Sequence, residues 1–122
     1  MQHIPYIYEA KVLRWVDGDT VELDVKVGFY FTLGDDEDPP TFRLFGADAY
    51  EKRDELGPAA TALSKELAPE GSKILIRTRK QANGKLKDNF GRYLASVYSV
   101  DGEDISQALI SAGLTTGRYE DL

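Results

Sequence analysis

Val21, Leu23, Val25 and Val27 alternate with Glu22, Asp24 and Lys26. A period of two turns one face of a strand to a core and the other to water. The stretch before it, Tyr6 to Val16, is rich in aromatic and β-branched residues and also predicts a strand. Asp17-Gly18 between the two runs is a turn signal. Gly28 interrupts the pattern ahead of Phe29-Tyr30-Phe31. Gly34 to Pro40 holds two prolines and four acids, a composition that excludes a ladder. Thr41 to Phe45 resumes as a strand.

A helical period follows. Gly57-Pro58 opens a helix, since proline fits a first turn. Ala60, Leu63 and Leu67 keep the spacing of one face, and Pro69 ends it. Lys73 to Thr78 and Tyr93 to Tyr98 read as two further strands, with Asn83-Gly84 a turn or loop tip between them. Asp104 with Gln107 three residues on has the form of a capping box. Ile105, Ala108, Leu109 and Ala112 then share one face, and Gly113 stops the helix. The order is three strands, a helix, two strands and a helix. A mainly β (α+β) chain with five strands and a helix between the third and fourth matches a Greek-key barrel of the OB-fold type. An ordinary α+β sheet fits the same order.

Length and composition bound the chemistry. The 122 residues, 42% hydrophobic and 30% charged, suit one domain over 1–122. There is no cysteine, and the single histidine is His3. Disulfides, thiolate nucleophiles and zinc sites built on Cys are excluded, and a histidine triad or a two-His metal site is not expected. An enzyme of this composition works with carboxylates and arginines, and a metal in it is a hard cation held by oxygen. The net charge is −6. Residues 73–92 run against it, with seven basic residues against Asp88 alone. That local +6 leaves −12 on the remainder. Such a stripe can touch phosphates, although a solvated strand edge accounts for it equally. The start lacks a basic segment followed by an apolar run, and no stretch has the length of a membrane span. The chain therefore reads as cytoplasmic, or as secreted if a leader has been removed.

Three clusters could carry chemistry: Val16-Asp17-Gly18-Asp19-Thr20-Val21, Arg43-Leu44-Phe45-Gly46-Ala47-Asp48-Ala49-Tyr50-Glu51, and Asp88-Asn89-Phe90-Gly91-Arg92-Tyr93. Each has a bland reading. Asp-Gly is a common turn, Asp48 and Glu51 could cap the next helix, and Arg43 and Arg92 could be ordinary surface cations.

Their order and spacing resemble the staphylococcal nuclease-like (thermonuclease) family from about Lys11 to Tyr119. The resemblance implies a calcium-dependent nuclease that cuts phosphodiester bonds of DNA, with RNA left open. It implies a preference for single strands and 3′-phosphate products. Asp19 and Asp48 correspond to carboxylate ligands of Ca²⁺, and Ala49 supplies a backbone carbonyl. Glu51 corresponds to the carboxylate that orients or deprotonates the attacking water. Arg43 and Arg92 correspond to the two arginines on the scissile phosphate. Asp17 and Thr20 support the metal ligands, and Tyr119 and Phe90 belong to the nucleotide pocket.

The chemistry agrees with that set. Phosphodiester hydrolysis builds negative charge on phosphoryl oxygens, and a dication with two planar guanidinium groups opposes it. Some departures stand out. Tyr50 replaces a usual proline, and Asn89-Phe90 replaces a Lys-Tyr pair. The segment from Phe29 to Pro40 is longer than a short hairpin and acidic at its tip. The competing expectations are a non-catalytic nucleic-acid-binding or scaffold module, and a protein-interaction domain using the acidic loop.

Overall fold

The computed structural model describes residues 7–28, 31–33, 39–46, 56–79 and 92–115. The elements are β1 (Ile7–Asp17), β2 (Thr20–Gly28), β3 (Phe31–Leu33), β4 (Thr41–Leu44), α1 (Gly57–Leu67), β5 (Lys73–Arg79), β6 (Tyr93–Val97) and α2 (Ile105–Ser111). The sheet runs β1-β5-β6-β4-β2, and β1 pairs back onto β2. That last pairing closes a five-stranded barrel and decides for it against the ordinary α+β sheet that the strand order also fits. β4 lies parallel to β6, and the other pairs are antiparallel. The short β3 hangs on β2 outside the ring. It is the one described strand beyond the five expected, placed where Gly28 interrupts the alternation.

Closure explains the burial pattern. Val21, Leu23 and Val25 point inward with Val12, Trp15, Phe42, Leu44, Ile76 and Val97, all fully buried or nearly so. Burying each such side chain contributes about 1.5–3 kcal/mol. Phe42 and Tyr93 pack ring on ring with centroids 5.4 Å apart. The Trp15 indole Nε1 donates to the Ala68 carbonyl at 2.9 Å, which satisfies its polar edge inside the core.

The two helices seal the barrel. Pro58 stands in the first turn of α1, as expected. The buried face of α1 is made of Gly57, Ala60, Thr61 and Ser64. Leu63 and Leu67, which the spacing puts on that face, are only partly buried beside it. Small residues face inward because the helix lies close against the turn between β1 and β2. Asp104 caps α2 by accepting from the Ser106 amide at 2.9 Å. Among the described residues no bond from Gln107 completes the expected box; the cap acts alone. Gly113 stops the helix at φ +72°, donating to the Ile110 carbonyl while Leu114 donates to that of Leu109. That is a Schellman ending, with Leu114 folded onto the core. Two strands end one residue short of expectation: Phe45 falls in the turn after β4, and Tyr98 forms an isolated bridge with Asp104.

Candidate active site

The hairpin Asp17-Gly18-Asp19-Thr20 joins β1 to β2, with Asp17 and Thr20 as cross-strand partners. Two-residue connections hold the ends of their strands tightly. Two further bonds fix this one. The Ser64 hydroxyl of α1 donates to the Gly18 carbonyl at 2.7 Å, and the Leu44 amide of β4 donates to the Asp19 carbonyl at 2.9 Å. Asp19 is thus held from a helix on one side and a strand on the other.

Thr20 is the junction of the site. It is 5% exposed although it lies on the outer face of the barrel. Its hydroxyl donates to Asp19 Oδ1 at 3.1 Å and accepts from Arg92 Nη1 at 3.4 Å. Arg43 is its cross-strand partner on β4, and paired residues project to the same face. The next strand places Leu94 opposite Arg43, so Arg92, two residues before Leu94, enters the same face from the start of β6. A carboxylate and a guanidinium that are far apart in sequence therefore meet on one threonine, and Arg43 projects to the same face from the neighbouring strand.

A cleft of about 510 Å³ opens beside this junction, lined by Arg14, Asp17, Thr20, Glu22, Thr41 and Arg92. Glu22 would repel an anion there, but Arg14 bonds its Oε2 through both Nε at 3.2 Å and Nη2 at 2.9 Å. With Arg14 largely solvated, that pair contributes under about 1 kcal/mol to stability. Its effect on the cleft is to offset the Glu22 charge.

Five of the predicted positions are therefore placed: Asp17, Asp19, Thr20, Arg43 and Arg92. Asp48, Ala49, Glu51, Phe90 and Tyr119 lie outside the described residues, as do Tyr50, Asn89 and the acidic tip 34–38. Among the described residues no group of three His, Cys, Asp or Glu side chains clusters for a metal. The donor present, an Asp19 carboxylate steadied by a hydroxyl, is of the oxygen type a hard cation takes.

Sequence reasoning missed the buried serines. Ser64 holds the turn that carries Asp19. Ser106, 1% exposed on α2, donates to the Phe45 carbonyl at 2.8 Å. It thereby fixes the exit of β4, three residues before Asp48. A serine on the small buried stripe of α1 was the available signal, because a hydroxyl there must find a backbone partner.

Comparison with known proteins finds relatives along most of the chain. The family model described as "Staphylococcal nuclease homologue" matches residues 41–121. An "uncharacterized endonuclease" of Escherichia coli is 31% identical over 104 residues, which cover 85% of this chain and 57% of that protein. The "Endonuclease YhcR" of Bacillus subtilis (strain 168) is 30% identical over 112 residues, 87% of this chain and 8% of that protein. The chain thus spans little over half the length of the E. coli relative and a small part of the B. subtilis one. Among the described residues no helix is long and apolar enough to cross a membrane. The closed barrel, its two helices and the matched span lead to one assignment: the chain belongs to the staphylococcal nuclease homologue family.

Proposed function

We propose that this chain is a calcium-dependent phosphodiesterase that hydrolyses DNA, preferring single strands and leaving 3′-phosphate ends, with RNA as an open second substrate. The observation that carries the proposal is the bonding of Asp19 and Arg92 to the Thr20 hydroxyl, with Arg43 opposite Thr20 on the same outer face of the barrel. One carboxylate beside two guanidinium groups suits a phosphodiester better than a neutral ligand.

In this reading Arg43 and Arg92 grip the nonbridging oxygens of the scissile phosphate. Their planar forks bind two oxygens each and oppose the charge that grows there. Glu51 takes a proton from water as the water oxygen bonds to phosphorus. The bond from phosphorus to the 5′ oxygen breaks in line, and that oxygen takes a proton from solvent water to leave as the hydroxyl of the departing strand. Asp19, Asp48 and the Ala49 carbonyl would hold Ca²⁺, which supplies fixed positive charge beside the phosphate. Thr20 and Asp17 keep the Asp19 carboxylate in place, and Phe90 and Tyr119 contact the nucleotide. Sequence preference is weak, because the chemistry lies on phosphate and not on base edges.

The test is hydrolysis of heat-denatured DNA with Ca²⁺, with Mg²⁺ and with chelator. The proposal requires Ca²⁺-dependent cleavage that Glu51→Gln reduces while fold and metal uptake persist. Absence of cleavage with every ion, alongside retained oligonucleotide binding, would make the chain a non-catalytic nucleic-acid-binding module.

A further inference from the structure

Arg79 ends β5 opposite Leu94 of β6, and Leu94 in turn lies opposite Arg43 of β4. Thr20, Arg43, Leu94 and Arg79 thus form one row across the outer face. Two interstrand spacings, about 10 Å at the backbone, separate the two arginines.

The surroundings of Arg79 are unusual for a solvated cation. It is half-buried. Its guanidinium carbon stands 4.4 Å from the centre of the Phe45 ring. Its Nε donates to the Ser96 hydroxyl at 3.2 Å, and Ser96 is itself buried. The ring and the serine fix the guanidinium plane and use one of its five N–H donors. Among the described residues no carboxylate pairs with it, although the chain carries 21 acidic residues. A stacked, oriented guanidinium with both terminal nitrogens available is prepared for an oxyanion.

We infer that Arg79 binds a second backbone phosphate of the nucleic acid, next to the one held by Arg43 and Arg92. The inference rests on the nuclease reading for the position of the first phosphate. It extends the footprint along the row to β5. Leu94 between the arginines leaves an uncharged step, so the strand is held at separated points.

The test compares wild type, Arg79→Gln and Arg79→Lys on single-stranded oligothymidylate and on the dinucleotide TpT, which has one phosphodiester. On the oligomer, Arg79→Gln is expected to raise KM about tenfold with kcat nearly constant, the scale of one charge-assisted contact. Arg79→Lys should fall between. On TpT the penalty should shrink below twofold, since no second phosphate is present. The slope of log affinity against log salt should fall by about 0.7, one single-strand contact. An unchanged KM on the oligomer, or an equal loss on TpT, overturns the inference. If wild type cleaves neither substrate, the nuclease reading fails on its own. Oligothymidylate binding, read by fluorescence anisotropy in chelator, then decides Arg79, and an unchanged salt slope in Arg79→Gln overturns it. Should Arg79→Gln not fold, the oligothymidylate affinity of Arg79→Lys against that of wild type decides: a weaker affinity supports the site and an equal one overturns it.

Discussion

Arg92 donates to the hydroxyl of Thr20 across 72 positions of sequence. The same hydroxyl donates its own hydrogen bond to Asp19 Oδ1. A carboxylate and a guanidinium of the site are thus oriented by one buried hydroxyl, and the alignment of both depends on it.

Thr20→Val tests that dependence at nearly constant shape. A hydrogen bond to a charged group is worth about 1.5–3 kcal/mol, so kcat should fall roughly ten- to hundredfold. Thr20→Ser, which keeps the oxygen, should recover most of the rate. Steady-state hydrolysis of an oligonucleotide measures both, and equal rates in wild type and Thr20→Val would contradict the role.

Arg43→Lys keeps the charge but loses the planar fork. If Arg43 grips the phosphate in the transition state, kcat should drop about 10²–10³-fold, as when one oriented donor is removed from other sites. Circular dichroism should show an intact barrel, because Arg43 projects from the outer face of β4. A change in KM alone would assign Arg43 to ground-state binding instead.

Ser64→Ala leaves the Gly18 carbonyl buried without its partner. The expected cost is about 1–3 kcal/mol in urea unfolding. Loosening the turn that carries Asp19 should also weaken Ca²⁺ uptake, an effect a purely structural serine would not have. Ser106→Ala should cost a similar amount through the Phe45 carbonyl.

Much of this molecule is legible along the chain, and the unread parts share a cause. The alternation from Val21 to Val25 needs only local sequence to declare its buried face, and Pro58 and Gly113 mark helix ends by backbone preference alone. The meeting of Thr20 with Arg92 depends on the pairing of β2 with β4 and on the parallel pairing of β4 with β6. Neither has a local signature. The motif order made Asp19, Arg43 and Arg92 visible as candidates, whereas their geometry required the register. Ser64 and Ser106 stayed hidden because an isolated serine in a helix usually faces water. Arg79 stayed hidden because the ring beneath it, Phe45, comes from the turn after β4, a strand two places away from β5 in the sheet.

Trp15 gives an independent handle on the core. As the only tryptophan, buried at 2% exposure, it should emit at short wavelength when folded and shift to the red on unfolding. Trp15→Phe removes the bond to the Ala68 carbonyl and some volume, and should destabilise the barrel by about 2–4 kcal/mol. Thermal or urea melts followed by circular dichroism measure it. A loss below 0.5 kcal/mol, well short of about the lower bound for a buried bond, would mean that the indole N–H contributes little.

The proposed chemistry depends most on Asp19 serving, beside two arginines, as a ligand for a divalent ion at a phosphate. Calorimetric titration of Ca²⁺ into wild type and Asp19→Asn, each with a nucleoside bisphosphate present, addresses this directly. Wild type should take up one ion per chain, and Asp19→Asn should bind it at least about tenfold more weakly with the fold unchanged. No uptake by wild type, or equal uptake by both proteins, would contradict it.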